Sequence, residues 1–138
     1  MTPPLPNLLI VDDDVALRTA FARALERVGY SVTTATGSPE VLQFIADNEP
    51  ALVLLDNHMP GTGGIELIQQ IRQRWSSEQL PVVLISGSSI QGEIDEAMKA
   101  GANDFRRKPV DLADLIATVQ DTVRTSWPLQ RAGQGSSS

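Results

Sequence analysis

Three runs of consecutive apolar residues constrain this chain most: Leu8-Leu9-Ile10-Val11, Leu52-Val53-Leu54-Leu55 and Val82-Val83-Leu84-Ile85. Each is too short for a helix, and each is apolar at successive positions rather than alternate ones. A strand reads that way when both of its faces are buried, which is the condition of a strand inside a parallel sheet. Helical spacing fills the intervals between these runs. Leu17, Phe21, Ala24, Leu25 and Val28 recur on one face before Gly29. Ser38-Pro39-Glu40 reads as an N-cap with proline at the first helical position, followed by Val41, Leu42, Phe44 and Ile45. Leu67, Ile68, Ile71 and Trp75 predict a third helix ending near Ser76-Ser77. Ile90, Ile94, Ala97 and Met98 predict a fourth, with Gly101 as its C-cap residue. Asp111 caps a fifth, with Leu112, Leu115, Ile116, Val119 and Val123 inward. Residues 30–35 and 104–107 supply the remaining strands. Strand and helix alternate five times, so the expected class is α/β, a parallel sheet covered by helices on both faces.

Such sheets bind ligands beyond the carboxyl ends of their strands. The residues at those ends are therefore the candidate site. The first strand ends in Asp12 and Asp13, the third in Asp56, the fourth in Ser86 and the fifth in Lys108. After Asp56 comes Asn57-His58-Met59-Pro60-Gly61-Thr62-Gly63-Gly64, which is loop by composition. Alone, Asp56 could simply cap a turn. Core packing does not explain three carboxylates, a hydroxyl and an ammonium at equivalent strand ends. Two carboxylates 4 Å apart repel by about 4 kcal/mol at an effective dielectric near 20. A hard divalent cation relieves that repulsion, and a few carboxylate oxygens suit Mg²⁺. The set fits phosphoryl transfer. Asp56 would be the nucleophile, and Lys108 and the metal would offset phosphoryl charge, with the Ser86 hydroxyl donating to a phosphoryl oxygen.

These pieces, VDDD after the first strand, LLDNHMPGTGGIEL around Asp56, LISG at Ser86 and GANDFRRKP through Pro109, resemble the receiver domain of two-component response regulators. They span nearly all of residues 7–125 in that family's order. The resemblance implies a flavodoxin-like three-layer sandwich, with a five-stranded parallel sheet of order 2-1-3-4-5 and five helices. It implies that Asp56 accepts phosphate from a sensor histidine kinase or a histidine phosphotransfer protein. Asp12, Asp13, Asp56 and the main-chain carbonyl of His58 would hold Mg²⁺ or Mn²⁺. Ser86 and Phe105 would be the switch pair beside Lys108, and the Lys108–Pro109 bond would be cis. An output domain or downstream protein would read the change, with homodimerisation possible on the face formed by the fourth and fifth helices and the fifth strand. Arg106 and Val110 depart from the family's usual apolar and Phe residues there. The His58 imidazole is expected at the loop mouth, and Asp14 as a helix N-cap.

Two other functions fit parts of the pattern. Asp12 and Asp14 resemble the opening Asp-x-Asp of haloacid-dehalogenase-type phosphatases, but Ala16 stands where that family has Thr or Val, and Asp56 would be left without a role. A receiver-like module that no longer takes phosphate would not need the full set of five residues. Composition narrows the field further. The net charge of −6 and the single basic cluster Arg106-Arg107-Lys108 disfavour direct nucleic-acid binding. Absence of cysteine excludes disulfides and thiol chemistry, and one histidine excludes a multi-His metal site within the chain. No apolar stretch approaches a membrane span and no signal peptide is visible, so a cytoplasmic location is expected. The chain divides into a lead over 1–7, a receiver unit over 8–125 and a polar, linker-like tail over 126–138.

Overall fold

The computed structural model describes residues 6–12, 14–37, 39–56, 63–87 and 91–136. Five strands, β1 (Asn7–Val11), β2 (Ser31–Ala35), β3 (Leu52–Asp56), β4 (Val82–Ser86) and β5 (Asp104–Arg107), alternate with five helices. The helices are α1 (Val15–Val28), α2 (Glu40–Asn48), α3 (Gly64–Arg72), α4 (Gln91–Ala100) and α5 (Leu112–Ser136). The strands form one parallel sheet of order β2-β1-β3-β4-β5, as the family resemblance implies.

The apolar runs become the central strands because every residue in them has somewhere to bury. Along β3, Leu52 and Leu54 join Phe21, Leu25, Leu115 and Val119 under α1 and α5. Val53 and Leu55 join Val41, Ile45, Leu67 and Ile71 under α2 and α3. Consecutive side chains of a strand point to opposite faces, so an unbroken apolar run feeds two cores at once. Each fully buried Leu or Ile contributes about 1.5–3 kcal/mol relative to exposure. β2, an edge strand, has no fully buried residue and reads as half-buried in sequence for that reason.

Helix ends depart from the sequence reading in instructive places. Asp14 caps α1, its carboxylate accepting from the Leu17 N–H at 3.1 Å. Gly29 ends the helix at φ 118°, a left-handed conformation that glycine adopts without strain. α2 begins one residue later than expected, with Pro39 at its N-cap position; Ser38 lies outside the described residues. Its C-cap is Glu49 at φ 46°, a left-handed non-glycine residue that no sequence signal announces. α3 ends at Arg72, so Trp75 packs from the turn beyond it rather than from the helix. In α4 the described side chains bury only Ala97, and Met98, expected inward, is 43% exposed. Ile90 lies outside the described residues. Leu112, also expected inward, is 41% exposed at the first position of α5, and the buried stripe of that helix is Leu115–Val119–Val123. The α5 backbone stays helical through Ser136, across most of the stretch whose composition reads as a tail. Extending an already formed helix carries no new nucleation cost, and Pro128 is the one residue of this stretch that brings no N–H to it.

Candidate functional site

Register brings the candidate residues to one rim. Val11 is level with Leu55, so Asp12 stands beside Asp56 as the chain leaves both strands. Asp56 is level with Ile85, and Ser86 with Arg107, which places Ser86 and Lys108 at the next step of the same rim. Asp12, Asp56 and Ser86 are all buried, at 1%, 3% and 2% exposure. They are three of the four buried polar side chains among the described residues, the other being Thr118 on α5.

Lys108 reaches across the rim, its ammonium 2.6 Å from Asp56 Oδ2. Its main-chain N–H donates to the Ser86 carbonyl at 2.9 Å, tying the end of β5 to the end of β4. The Lys108–Pro109 bond is cis. Phe105 is half-buried and packs against the core beneath α2, α3 and α4. Arg106 turns to the other side. Its Nε donates to Thr118 Oγ1 at 3.0 Å and its guanidinium pairs with Asp104 at 3.2 Å. An arginine is accommodated in this strand because α5 supplies a hydroxyl for it.

Asp12 is held on three sides. Its N–H donates to Ala35 O, its Oδ1 accepts from the Asp14 N–H at 2.9 Å, and its carbonyl accepts from Arg18 Nη1 at 3.1 Å. Its Oδ2 is buried and has no hydrogen-bond partner among the described residues. Burial pushes the Asp12 carboxyl up to about 6, and the neighbouring Asp56 carboxylate pushes the same way. The Asp14 N–H and Lys108 pull it partly back. The single ammonium of the rim sits on Asp56, so Asp12 carries the cost of a desolvated charge.

A buried carboxylate oxygen with no donor beside a second carboxylate is what a hard cation would complete. The donor set is all oxygen, which suits Mg²⁺. Among the described residues Asp12 and Asp56 are the acidic members of this set and no group of three metal-ligating side chains forms. Asp13 and His58, the other expected contributors, lie outside the described residues, as does the loop over 57–62.

Two features of this rim and its opposite end escaped the sequence reading. One is Arg18, which reaches back six residues to Asp12. The other lies at the amino ends of the strands. There the Arg72 guanidinium donates to the carbonyls of Gly101, Trp75, Ser76 and Leu80 and to Asn103 Oδ1, at 2.8–3.3 Å. Asn103 also accepts from the Val82 N–H and donates to Ser77 O. An arginine collecting main-chain carbonyls has no pairwise charge pattern to betray it. Burial lowers the Arg72 pKa from its ordinary value.

Fold and rim together define a doubly wound α/β domain with a lysine-paired, buried aspartate at the carboxyl ends of its strands. The chain belongs to the response regulator receiver domain family, whose model matches residues 8–120. It is similar to response regulator MprA of Mycolicibacterium vanbaalenii, 34% identical over 128 residues, which cover 93% of this chain and 54% of that protein. It is also similar to the phosphate regulon transcriptional regulatory protein PhoB of Pseudomonas aeruginosa, 31% identical over 88% of this chain and 53% of that protein. The crystal structure of a CheY-like receiver domain from Methanospirillum hungatei superposes with a TM-score of 0.81 at 27% identity, covering 90% of this chain and 98% of that one. The chain spans about half the length of the curated relatives it matches. Its function is that of a two-component receiver, a regulatory phosphoacceptor switch, and neither alternative function is favoured. Receiver domains of this family typically bind Mg²⁺. Among the described residues no helix is long and apolar enough to cross a membrane.

Proposed function

We propose that Asp56 is the phosphate-accepting residue and that a histidine kinase or histidine phosphotransfer protein supplies the phosphoryl group. The observation that carries this reading is the Lys108 ammonium 2.6 Å from Asp56 Oδ2, beside a buried Asp12 whose Oδ2 has no partner among the described residues. An Asp56 carboxylate oxygen attacks phosphorus, the P–N bond to the donor imidazole breaks, and the imidazole nitrogen keeps the electron pair and takes a proton. Lys108 is placed to pass from the carboxylate to a phosphoryl oxygen, so the ion pair of the resting state becomes a contact of the phosphorylated one. Asp12 and Asp56, with Asp13 and the His58 carbonyl, would hold Mg²⁺ or Mn²⁺. The metal's contribution when bound is to neutralise charge between the carboxylates and the phosphoryl group.

Ser86, buried at the end of β4, and Phe105, half-buried on β5, form the switch pair in this reading. The Ser86 hydroxyl moves toward the phosphoryl group and Phe105 fills behind it, changing the surface between α4 and β5. An output domain or partner protein reads that surface, and homodimerisation on the same face is a further mode of readout. The receiver unit is taken as 8–125, with 126–138 leading out of it. The domain also assists loss of its own phosphoryl group. Incubation with Mg²⁺ and acetyl phosphate or phosphoramidate, followed by intact-mass measurement, tests the central step. A base-labile phosphate adduct absent from Asp56→Asn is the expected result. An adduct that survives in Asp56→Asn would refute the assignment. Phosphomonoester turnover dependent on Asp12, or no adduct and no turnover, would overturn the phosphoacceptor reading altogether.

A further inference from the structure

Among the described residues, every hydrogen-bonding atom of Asp12 except Oδ2 has a partner. The N–H is held by Ala35 O, Oδ1 by the Asp14 N–H and the carbonyl by Arg18 Nη1. Two of these three restraints come from main chain that the sheet and the start of α1 fix already. The third is the only one made by a side chain. Arg18 itself is well anchored, since its N–H donates to the Asp14 carbonyl at 2.9 Å in the first turn of α1. From there the guanidinium reaches back to the Asp12 carbonyl at 3.1 Å. It bonds a carbonyl rather than a carboxylate, and so it leaves Asp12 Oδ2 available.

We infer that Arg18 is a positioning residue for the cation site: it holds the Asp12 peptide so that Oδ2 stays directed at the ligand position beside Asp56. This rests on the reading of the rim as a Mg²⁺-dependent phosphoacceptor site. Two physical effects of Arg18 oppose each other there. Its positive charge repels a divalent cation, so removing it should tighten Mg²⁺ binding if charge dominates. Its hydrogen bond orders a ligand residue, so removing it should weaken binding if positioning dominates. Partners that orient metal-ligating groups change metal affinity by roughly ten- to a hundredfold when removed, whereas the half-buried Arg18 guanidinium is spent on a carbonyl and its repulsion of a cation is reduced, not abolished, by salt of about 1 M. Positioning is therefore expected to win.

The test is a Mg²⁺ titration of the full chain followed by melting temperature, with wild type, Arg18→Met and Arg18→Lys in 1 M-range NaCl. Far-UV circular dichroism and the melting temperature in EDTA report folding separately. The expected result is a Mg²⁺-dependent stabilisation of wild type, roughly tenfold weaker Mg²⁺ binding in Arg18→Met with its EDTA fold retained, and recovery in Arg18→Lys, whose ammonium can still donate to the carbonyl. Arg18→Met binding Mg²⁺ as tightly as wild type, or more tightly, overturns the inference while leaving the site reading intact. No Mg²⁺ response in wild type overturns both. If Arg18→Met fails to fold in EDTA, Arg18→Ala takes its place: roughly tenfold weaker Mg²⁺ binding with the EDTA fold retained supports the inference, and affinity equal to wild type overturns it.

Discussion

Asp12→Asn should stabilise this domain at neutral pH in the absence of divalent cations. The variant keeps the shape of the side chain, and an amide oxygen can still accept from the Asp14 N–H where Oδ1 does at 2.9 Å. What it removes is a buried charge whose carboxyl is pushed from 3.8 to about 6, first by burial and then by Asp56. A carboxyl raised in the folded state binds more proton folded than unfolded between those two values. Stability therefore falls as pH rises through that window, and the full cost is present above it. A gap of this size corresponds to about 3 kcal/mol at pH 7.5, and the same linkage leaves only about 1 kcal/mol at pH 4.5. For a domain of this length 3 kcal/mol is roughly a 10 °C change in melting temperature. Urea denaturation of wild type and Asp12→Asn in EDTA at both pH values measures the difference directly. The variant should be the more stable at pH 7.5, and the advantage should shrink toward pH 4.5. Equal or lower stability at pH 7.5, or an advantage that does not change with pH, would refute the assignment of strain to the Asp12 charge. Mg²⁺ should then reverse the ranking by stabilising wild type alone.

Gly101→Ala should destabilise the fold by at least 1–2 kcal/mol, because its φ of 119° disfavours any side chain and a Cβ would lie 2.6 Å from Arg72 Cγ; a urea midpoint equal to that of wild type would contradict it. Glu49→Gly should stabilise by about 1 kcal/mol, since it relieves the left-handed C-cap of α2 at φ 46°; chemical denaturation showing a loss instead would mean that the Glu49 side chain makes a compensating contact. Asp14→Ala should cost about 1 kcal/mol through the lost cap on the Leu17 N–H. Its phosphate adduct yield at saturating Mg²⁺ should match wild type, and a large drop in yield would assign Asp14 to the site rather than to the helix.

The apolar runs made the central strands legible because a strand buried on both faces has no other way to be written. The rim was legible for the same reason: a carboxylate directly after Leu52–Leu55 has nowhere to go but the strand's end. What escaped were contacts made through main-chain carbonyls. Arg72 looks like an ordinary surface position on a helix, since no acidic residue stands three or four places away, and Arg18 has Asp14 four residues before it, a spacing that suggests a side-chain pair rather than the Asp12 carbonyl it bonds. The end of α3 was misjudged because helical hydrogen bonding persists past it, the Trp75 N–H still donating to Ile71 O at 2.8 Å. Trp75 continues the spacing of Leu67, Ile68 and Ile71, yet the Arg72 guanidinium takes the carbonyls of Trp75 and Ser76 and folds the chain into a turn. Met98 and Leu112 follow helical spacing as well, yet they are 43% and 41% exposed, since spacing alone does not say which turn of a helix meets the core.

The two ends of the same strands differ in what they leave unfinished. At the amino ends, one guanidinium and one amide close the loops around Leu80, Gly101 and Asn103 with hydrogen bonds. At the carboxyl ends, the Asp12 Oδ2 oxygen has no donor among the described residues. A mutation library spread evenly over the loops should thus split by geography. Variants at the Arg72 end would be lost in a screen for folded protein. Variants at the Asp12 end would pass that screen, some with raised stability, and separate only in a screen for signalling. Redesign of what this domain responds to has its freedom at one end of the sheet, on a foundation secured at the other.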